Sequence, residues 1–344
     1  MKTKTGWQPP DGWVKITAID AHTAGEPLRV ITSGYPELLG DTILEKRRYA
    51  KENLDHLRKA LMWEPRGHAD MYGCLVTEPV TADGTLGVIF LHNEGYSSMC
   101  GHGIIGLAKV ALDTGIIEAQ GDEVTIKMDT PAGRVTALAQ RQHGIVQDVS
   151  FLNVPSFVYA LDQVVDVPGV GQITYDIAFG GAFYAYCRAE QAGVGLTEAH
   201  SSQLIEAGMR IKHAVMESHP IEHPFEPDLG FLYGIIFIGE ALDDRNHSRN
   251  VCIFADGELD RCPTGTGVSG RAAIHLAREE LGVGEPFRVE SILGTCFTGE
   301  VVDTTQFGPY AAVVPRVTGR AHICGRNELL LDPDDTLGGG FFLR

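Results

Sequence analysis

Two stretches of the chain carry apolar residues on nearly every side of a predicted helix, and each begins with a glycine-rich turn. The first covers residues 100–112 and starts at Cys100, and the second covers residues 264–276 and starts at Thr264. They align without a gap, and three glycines, one alanine and three apolar positions coincide. A helix at the protein surface would have a polar side. The pattern therefore predicts two related helices, each buried in the middle of its own half of the chain.

Breaks in the pattern predict where these helices end and where strands lie. Asp113-Thr114-Gly115 supplies a glycine stop for the first helix, and Leu281-Gly282 supplies one for the second, after residues 278–280. A second, weaker repeat has the same sequence separation as Cys100 and Thr264. It aligns residues 13–28 with the segment from Ile177 onwards, and each segment is predicted to be a strand that meets a glycine-containing turn. Other short apolar segments bounded by Gly, Pro or Asp are typical of strands. They include residues 123–128, 149–154, 234–238 and 311–314.

These elements predict an α+β fold of two pseudo-symmetric lobes, each a curved, mostly antiparallel sheet around a central buried helix. The first lobe is expected to span residues 1–160 and to carry Cys100. The second is expected to span residues 161–344 and to carry Asp260 and Thr264, while the segment from about 320 can return to the first lobe. The two helix starts would then face each other across a cleft.

Composition and charge narrow the class of protein. The length of 344 residues suits two lobes, and 44% hydrophobic with 21% charged residues is the profile of a folded enzyme. A net charge of -17 argues against nucleic acid or an anionic membrane as partner. The first 13 residues lack the pattern of a secretory signal, and the seven scattered cysteines form no CxxC pair. We expect a cytoplasmic protein without a disulfide framework or a zinc ribbon.

The two helix starts are the candidate site for chemistry. A helix N-terminus presents unpaired N–H groups and the positive end of the helix dipole, so it binds anions and lowers the pKa of a thiol. Cys100 occupies one start, where Gly101, His102 and Gly103 leave the amides accessible. The thiol is therefore expected to be favoured as a thiolate. The second start, at Thr264, adds a second set of amides, so one carboxylate would be held from both sides.

Such a clamp suits removal of a proton beside a carboxylate. Loss of a Cα proton pushes negative charge into the carboxylate, and preorganised N–H donors stabilise that charge. The chemistry needs no metal and no cofactor, and we expect neither. Asp260, four residues before Thr264, is predicted to hold the ammonium group of the substrate.

The segments around both helix starts resemble the two signature motifs of the proline racemase family. They are Ser98-Met-Cys-Gly-His-Gly103 and Asp260-Arg-Cys-Pro-Thr-Gly-Thr-Gly267, and the segments Asp20-Ala-His-Thr-Ala-Gly-Glu-Pro27 and Arg66-Gly-His-Ala-Asp-Met-Tyr-Gly73 also resemble family segments. The resemblance implies lobes of the diaminopimelate epimerase type with a proline-like substrate between them. It implies Cys100 as the base, Asp260 at the amine, and the amides of Gly101, His102, Gly265 and Thr266 at the carboxylate. A homodimer is left open.

Thr264 departs from the pattern of the racemases and epimerases of the family, which carry a second cysteine there. Inversion of Cα requires one base on each face of the ring, and a threonine hydroxyl is too weak an acid to replace a thiol. The pairing of Cys100 with Thr264 instead resembles the family's dehydratases that act on trans-3-hydroxy-L-proline. In that substrate the Cα hydrogen and the 3-hydroxyl share one ring face, so Cys100 alone suffices for a syn elimination. Thr264 is expected to cap its helix and to contact the substrate.

Several alternatives stay open on the sequence alone. A proline racemase or 4-hydroxyproline 2-epimerase would need Cys262 or water on the second face, and a non-catalytic amino-acid-binding protein would keep only the clamp. Both helix starts spell G-x-G-x-x-G, but no βαβ context supports dinucleotide binding. His213, His219 and His223 lack a compact metal-ligand spacing, and we interpret them as part of a solvated loop.

Overall fold

The computed structural model describes residues 6–343, so residues 1–5 of the N-terminal segment searched for a signal lie outside the described residues. The helices are α1 (Ile43–Asn53), α2 (Asp55–Met62), α3 (Gly101–Asp113), α4 (Ser201–Ser218) and α5 (Gly265–Ala277). The strands are β1 (Val14–Thr23), β2 (Glu26–Ser33), β3 (Gly73–Thr77), β4 (Leu86–Leu91), β5 (Tyr96–Ser97), β6 (Glu123–Thr130), β7 (Gly133–Gln142), β8 (Ile145–Leu152), β9 (Ser156–Val167), β10 (Gly171–Phe179), β11 (Phe183–Arg188), β12 (Leu232–Gly239), β13 (Ser248–Phe254), β14 (Glu258–Leu259), β15 (Pro286–Glu290), β16 (Cys296–Phe307), β17 (Tyr310–Gly319) and β18 (Ala321–Leu331). The fold is thus dominated by sheet and has few helices.

The strand pairings follow one order that occurs twice along the chain. In the first half β1 pairs with β2 and with β18, β2 runs parallel to β3, and β3 pairs with β4. Strand β4 then runs parallel to β6, and β6, β7 and β8 pair in that order as antiparallel neighbours. In the second half β10, β11, β12, β13, β15, β16 and β17 take the same positions, with β9 beside β10. Because β17 also pairs with β9, the second set closes into a barrel.

The two predicted helices are confirmed and lie inside this framework. Helix α3 packs against β1, β2, β7, β8 and β18, and α5 packs against β9, β10, β16 and β17. Even the charged side chains of these helices are enclosed. Lys109 on α3 bonds the Val146 carbonyl at 2.7 Å, and Arg271 on α5 donates to Ser248 and Asn250. Burial on all sides explains why neither helix shows a polar stripe in the sequence.

The predicted end of the second helix is wrong. The helix stops at Ala277 rather than continuing through residues 278–280. Arg278 is its C-cap, and Glu279 has a φ of 57°, which turns the chain out of the helix. The Arg278 side chain pairs with Asp176 on β10 at 2.8 Å.

The strand predictions are confirmed at 123–128, 234–238 and 311–314, and the strand predicted at 149–154 ends at Leu152. The weaker repeat also identified real hairpins, but its register is wrong. The turn between β1 and β2 lies at Ala24-Gly25 and the turn between β10 and β11 lies at Gly180-Gly181, and these do not coincide at the offset that aligns the helices. The connections inside the two halves differ in length, so one constant offset cannot align both features.

Three helices were not predicted. Helix α4 buries Leu204, Ala207, Gly208, Ile211 and Val215, spaced as one helical face, and packs against β9, β12 and β13. It contains His213, so the interpretation of that residue as part of a loop is wrong. None of the helices among the described residues is long and apolar enough to cross a membrane.

Candidate active site

The N-termini of α3 and α5 meet at two glycines. A Cβ atom on Gly101 would lie 2.7 Å from the Cα atom of Gly265, and a Cβ on Gly265 would lie 2.8 Å from the Cα of Gly101. Real side chains do not approach a backbone this closely, so the contact requires glycine on both helices. The Phe151 ring packs beside both glycines. The two sets of helix amides are therefore brought together, as the sequence predicted.

A small cavity lies at this junction, and all seven predicted site residues line it. Its volume is about 20 Å³, enough for about one water molecule. The lining residues are Tyr72, Met99, Cys100, Gly101, His102, Tyr184, Tyr233, Phe254, Asp260, Thr264, Gly265 and Thr266. Larger cavities exist, including one of about 300 Å³ beside Arg271, but this one lacks a thiol and the paired helix starts. This volume is too small for a five-membered ring, so the cavity must widen before such a ring can enter.

Cys100 is the N-cap residue of α3. Its extended backbone, with φ -144° and ψ 113°, turns the sulfur back over the first turn, where it accepts a hydrogen bond from Gly103 N–H at 3.2 Å. The sulfur also lies 3.1 Å from His102 Nδ1. Only 5% of the Cys100 surface is exposed, yet the residue borders the cavity. The thiol thus borders the cavity and is shielded from bulk water.

The expectation that the helix start favours the thiolate is wrong for this structure. Burial raises the pKa of Cys100 well above its ordinary value, because a charged sulfur would lose its hydration. Hydrogen bonding from Gly103 N–H and from the Tyr72 hydroxyl lowers the pKa but is the smaller effect, while the carboxylates of Asp260 and Glu26 raise it further. Burial also lowers the pKa of His102 to about 4. The neighbouring imidazole is therefore neutral near pH 7.

Thr264 does not cap α5, contrary to the prediction. Its hydroxyl donates to Asp260 Oδ2 at 2.7 Å, and its backbone N–H donates to Cys262 Sγ at 3.3 Å. Its φ of 66° is unusual for a β-branched residue and turns the chain sharply into the helix. No side chain among the described residues caps this helix start. The Thr264 side chain therefore does not occupy the N–H groups of Gly265 and Thr266.

Asp260 forms the acidic wall of the cavity. Its Oδ1 accepts a hydrogen bond from Cys262 N–H at 2.7 Å while Oδ2 accepts the Thr264 hydroxyl. The residue is 3% exposed, so both bonds hold the carboxylate in one orientation. A carboxylate has about four acceptor positions, and two remain for a cationic ligand.

Cys262 does not line the cavity, and its sulfur accepts the Thr264 N–H. This arrangement disfavours Cys262 as the second base considered above. His102, Asp260 and Cys262 nevertheless offer ligand atoms within 4.8 Å of one another, so they could hold a metal ion. The expected absence of a metal stays a prediction.

An aromatic wall completes the cavity and was not predicted. Tyr72, Tyr184, Tyr233 and Phe254 line it, and they come from segments far apart in the sequence. Tyr72 lies in one of the segments that resemble the family, which was the available signal for it. The other three lie in ordinary strand segments, where an aromatic residue is expected for packing alone.

The chain is similar to known proteins over nearly its whole length. A family model described as proline racemase matches residues 18–342. A Colwellia psychrerythraea protein named trans-3-hydroxy-L-proline dehydratase is 48% identical, covering 98% of this chain and 96% of that protein. A Burkholderia multivorans protein named 3-hydroxyproline 2-epimerase is 43% identical, covering 96% of this chain and 98% of that protein. The crystal structure of a hydroxyproline epimerase from Agrobacterium vitis, with bound trans-4-hydroxy-L-proline, matches with a TM-score of 0.91 at 31% identity and covers 96% of both chains.

Proposed function

Because the chain belongs to the proline racemase family, we propose that it dehydrates trans-3-hydroxy-L-proline to Δ1-pyrroline-2-carboxylate. One observation carries the proposal: a single thiol, Cys100, shares the cavity with a threonine, Thr264, where two helix N-termini meet. Relatives 46–48% identical over 95–98% of this chain are named trans-3-hydroxy-L-proline dehydratase. An enzyme of this kind is a hydro-lyase.

The chain is proposed to form two pseudo-symmetric lobes of the diaminopimelate epimerase type, with the substrate between them. Residues 1–160 would form the first lobe and residues 161–344 the second, and the segment from about 320 would return to the first. The repeated order of strand pairings supports this division, as does the pairing of β18 with β1. Separation of the two lobes would widen the cavity to admit a substrate ring.

The substrate carboxylate is proposed to bind the amides of Gly101, His102, Gly265 and Thr266. The close approach of the two helix starts and the uncapped α5 support this clamp. The substrate ammonium would bind Asp260, whose carboxylate is fixed on the same cavity wall. These contacts strengthen as negative charge develops on the carboxylate, so they stabilise the transition state more than the bound substrate.

Cys100 is proposed to act as the base. Its base form is the thiolate, which forms as the thiol loses its proton to solvent at rising pH. The neutral His102, with Nδ1 3.1 Å from the sulfur, can donate a hydrogen bond to that thiolate. The thiolate removes the Cα proton, the electron pair forms the Cα–Cβ double bond, and the C–O bond at the 3-position breaks. The new thiol proton passes to the departing oxygen, which leaves as water and regenerates the thiolate. The enamine product then tautomerises to the imine.

Thr264 is proposed to contact the substrate without acting as a base. Its hydroxyl is committed to Asp260 at 2.7 Å, and a threonine hydroxyl keeps its proton near neutral pH. The far face of the ring therefore meets no group that can add or remove a proton. Elimination on the Cys100 face proceeds, and inversion at Cα does not.

Purified protein incubated with trans-3-hydroxy-L-proline should give an imine that reacts with o-aminobenzaldehyde, and absence of this product would refute the proposal. Cys100→Ala is the matched control and should give none. The same assay with EDTA should give an unchanged rate, because no step requires a metal.

Two other candidate functions are read from the same samples. Chiral chromatography of L-proline, trans-4-hydroxy-L-proline and trans-3-hydroxy-L-proline tests for a racemase or 2-epimerase, because one relative is named 3-hydroxyproline 2-epimerase. A binding protein without chemistry would give neither imine nor exchange of the Cα proton with deuterated water. We expect imine from trans-3-hydroxy-L-proline and no inverted product.

A cytoplasmic location is part of the proposal, and the seven cysteines support it because all are free. A homodimer stays a prediction, which light scattering coupled to size exclusion would test.

A further inference from the structure

Tyr233, on β12, carries a buried hydroxyl without a partner. The residue is 5% exposed and lines the cavity with Cys100, but its oxygen forms no hydrogen bond within the described residues. The other two tyrosines of the cavity differ. The Tyr72 hydroxyl bonds Ser97 at 2.7 Å, and the Tyr184 hydroxyl bonds Thr266 at 2.8 Å. Tyr233 is thus the tyrosine of the cavity whose hydroxyl is available to a ligand.

A buried hydroxyl without a partner is unfavourable for folding, since it loses its hydrogen bond to water and gains none. Phenylalanine would fill the same volume without this penalty. The surroundings are otherwise aromatic, with the Phe254 ring 5.4 Å and the Tyr184 ring 5.8 Å from the Tyr233 ring. Packing alone therefore does not explain why this position carries a hydroxyl.

The Tyr233 phenol is a hydrogen-bond donor at neutral pH. Burial raises its pKa well above the ordinary value, and the negative charges of Glu258 and of a Cys100 thiolate act in the same direction. The nearby Tyr72 hydroxyl lowers the pKa, although the two phenols do not meet the geometry of a hydrogen bond and Tyr72 bonds Ser97 instead. The phenol thus keeps its proton when Cys100 is ionised. Both side chains line the same small cavity, so the phenol and the sulfur can face one bound ligand.

The stereochemistry of the substrate directs its 3-hydroxyl to this region. In trans-3-hydroxy-L-proline the 3-hydroxyl and the Cα hydrogen share one ring face, so a ring that presents its Cα hydrogen to Cys100 presents its hydroxyl to the same side. Resting on the proposed function, we propose that Tyr233 binds the substrate 3-hydroxyl and donates a hydrogen bond to its oxygen as the C–O bond breaks. The transferred proton still comes from the Cys100 thiol, and Tyr233 keeps its own.

A second unpartnered atom lies nearby but fits this role less well. His92 Nε2 is buried without a partner, and its ring is 5.5 Å from the Tyr233 ring. His92 does not line the cavity with Cys100, whereas it borders a larger cavity of about 810 Å³ on the other side of Tyr233. Tyr233 borders both cavities and is therefore the group that a substrate in the small cavity meets.

The test compares Tyr233→Phe with wild type on ligands with and without the 3-hydroxyl. We expect kcat for dehydration of trans-3-hydroxy-L-proline to fall about tenfold to a hundredfold, the loss typical of one transition-state hydrogen bond. L-Proline lacks the hydroxyl, so its inhibition constant as a competitor should stay within about twofold. The midpoint of thermal unfolding should not fall, because no bond of the folded protein is removed.

Tyr186→Phe is the matched control. Tyr186 is also fully buried, but its hydroxyl donates to the Gly267 carbonyl at 3.1 Å and the residue does not line the cavity. This variant should unfold at a lower temperature and should retain the wild-type ratio between dehydration and L-proline inhibition. The pair thereby separates loss of a structural bond from loss of a substrate contact.

Failure of this inference differs from failure of the proposed function. If wild type forms no imine, the proposed function is wrong. If wild type forms imine and Tyr233→Phe keeps kcat and KM within about twofold, the role of Tyr233 is wrong. Parallel loss of dehydration and of L-proline affinity in Tyr233→Phe would also overturn it, since that result indicates damage to the whole site.

Discussion

Replacing Thr264 with cysteine puts a second thiol at the start of α5, next to Asp260 and in the same cavity as Cys100. The residue is 5% exposed and lines the cavity, so we propose that the new sulfur would face a bound ring. The substitution keeps the volume close to that of threonine. It removes the hydrogen bond of 2.7 Å between the hydroxyl and Asp260. A buried bond to a charged group contributes about 1.5–3 kcal/mol, so the variant should be destabilised by an amount in that range.

We expect Thr264→Cys to gain inversion at Cα and to lose part of the dehydration activity. A thiol on the second face can return a proton from that side, which threonine cannot do. Dehydration should fall about threefold to tenfold, because Asp260 loses the bond that helps to orient it. Chiral chromatography of L-proline and of trans-3-hydroxy-L-proline measures inversion, and the o-aminobenzaldehyde assay measures dehydration in the same samples.

Thr264→Ser is the control for this variant. Serine keeps a hydroxyl that can donate to Asp260, so it should keep most of the dehydration activity and show no inversion. If Thr264→Cys folds with an unchanged circular dichroism spectrum and still inverts neither substrate, the placement of Thr264 on the face opposite Cys100 is refuted.

Two further predictions concern the thiol and the helix junction. Burial raises the pKa of Cys100, so the thiolate is the minor form at pH 7 and its fraction rises about tenfold per pH unit below that pKa. We therefore expect kcat/KM for dehydration to rise from pH 7 to pH 9. A flat pH profile would contradict a thiolate base. Gly265→Ala would place a Cβ 2.8 Å from the Gly101 Cα, so it should lower kcat/KM more than tenfold and destabilise the protein by about 1–3 kcal/mol. In the control Gly282→Ala the new Cβ would meet only a side-chain oxygen at 3.9 Å, so kcat/KM and stability should stay unchanged. Thermal unfolding and the rate of dehydration measure the two effects.

The sequence contained enough information to predict the two central helices and the residues at their N-termini. Cys100, Thr264 and Asp260 stand in short motifs, and the gapless alignment of the motifs predicts that both occupy equivalent places. The structure brings these residues to one cavity because each motif is followed directly by a rigid helix. The spacing of residues within these two motifs was therefore sufficient to predict most of the residues that line the cavity from the helix starts.

Features that depend on distant contacts could not be predicted. The pKa of Cys100 is raised mainly by burial among elements that are distant in the sequence, which no local pattern reports. The Thr264 hydroxyl had two possible uses, a helix cap or a bond to Asp260, and only the fold decides between them. Helix α4 was missed because the polar stretch after it obscured its apolar face.

The most direct measurement is proton NMR of trans-3-hydroxy-L-proline incubated in deuterated water with wild type and with Cys100→Ala, followed by chiral analysis of the remaining substrate. We expect wild type to form Δ1-pyrroline-2-carboxylate steadily and to leave substrate that is entirely the L isomer at Cα. Cys100→Ala should react at least a thousandfold more slowly, on the order of the loss seen when a catalytic nucleophile or base is removed. Comparable rates for the two proteins, or extensive inversion of the substrate by wild type, would contradict these expectations.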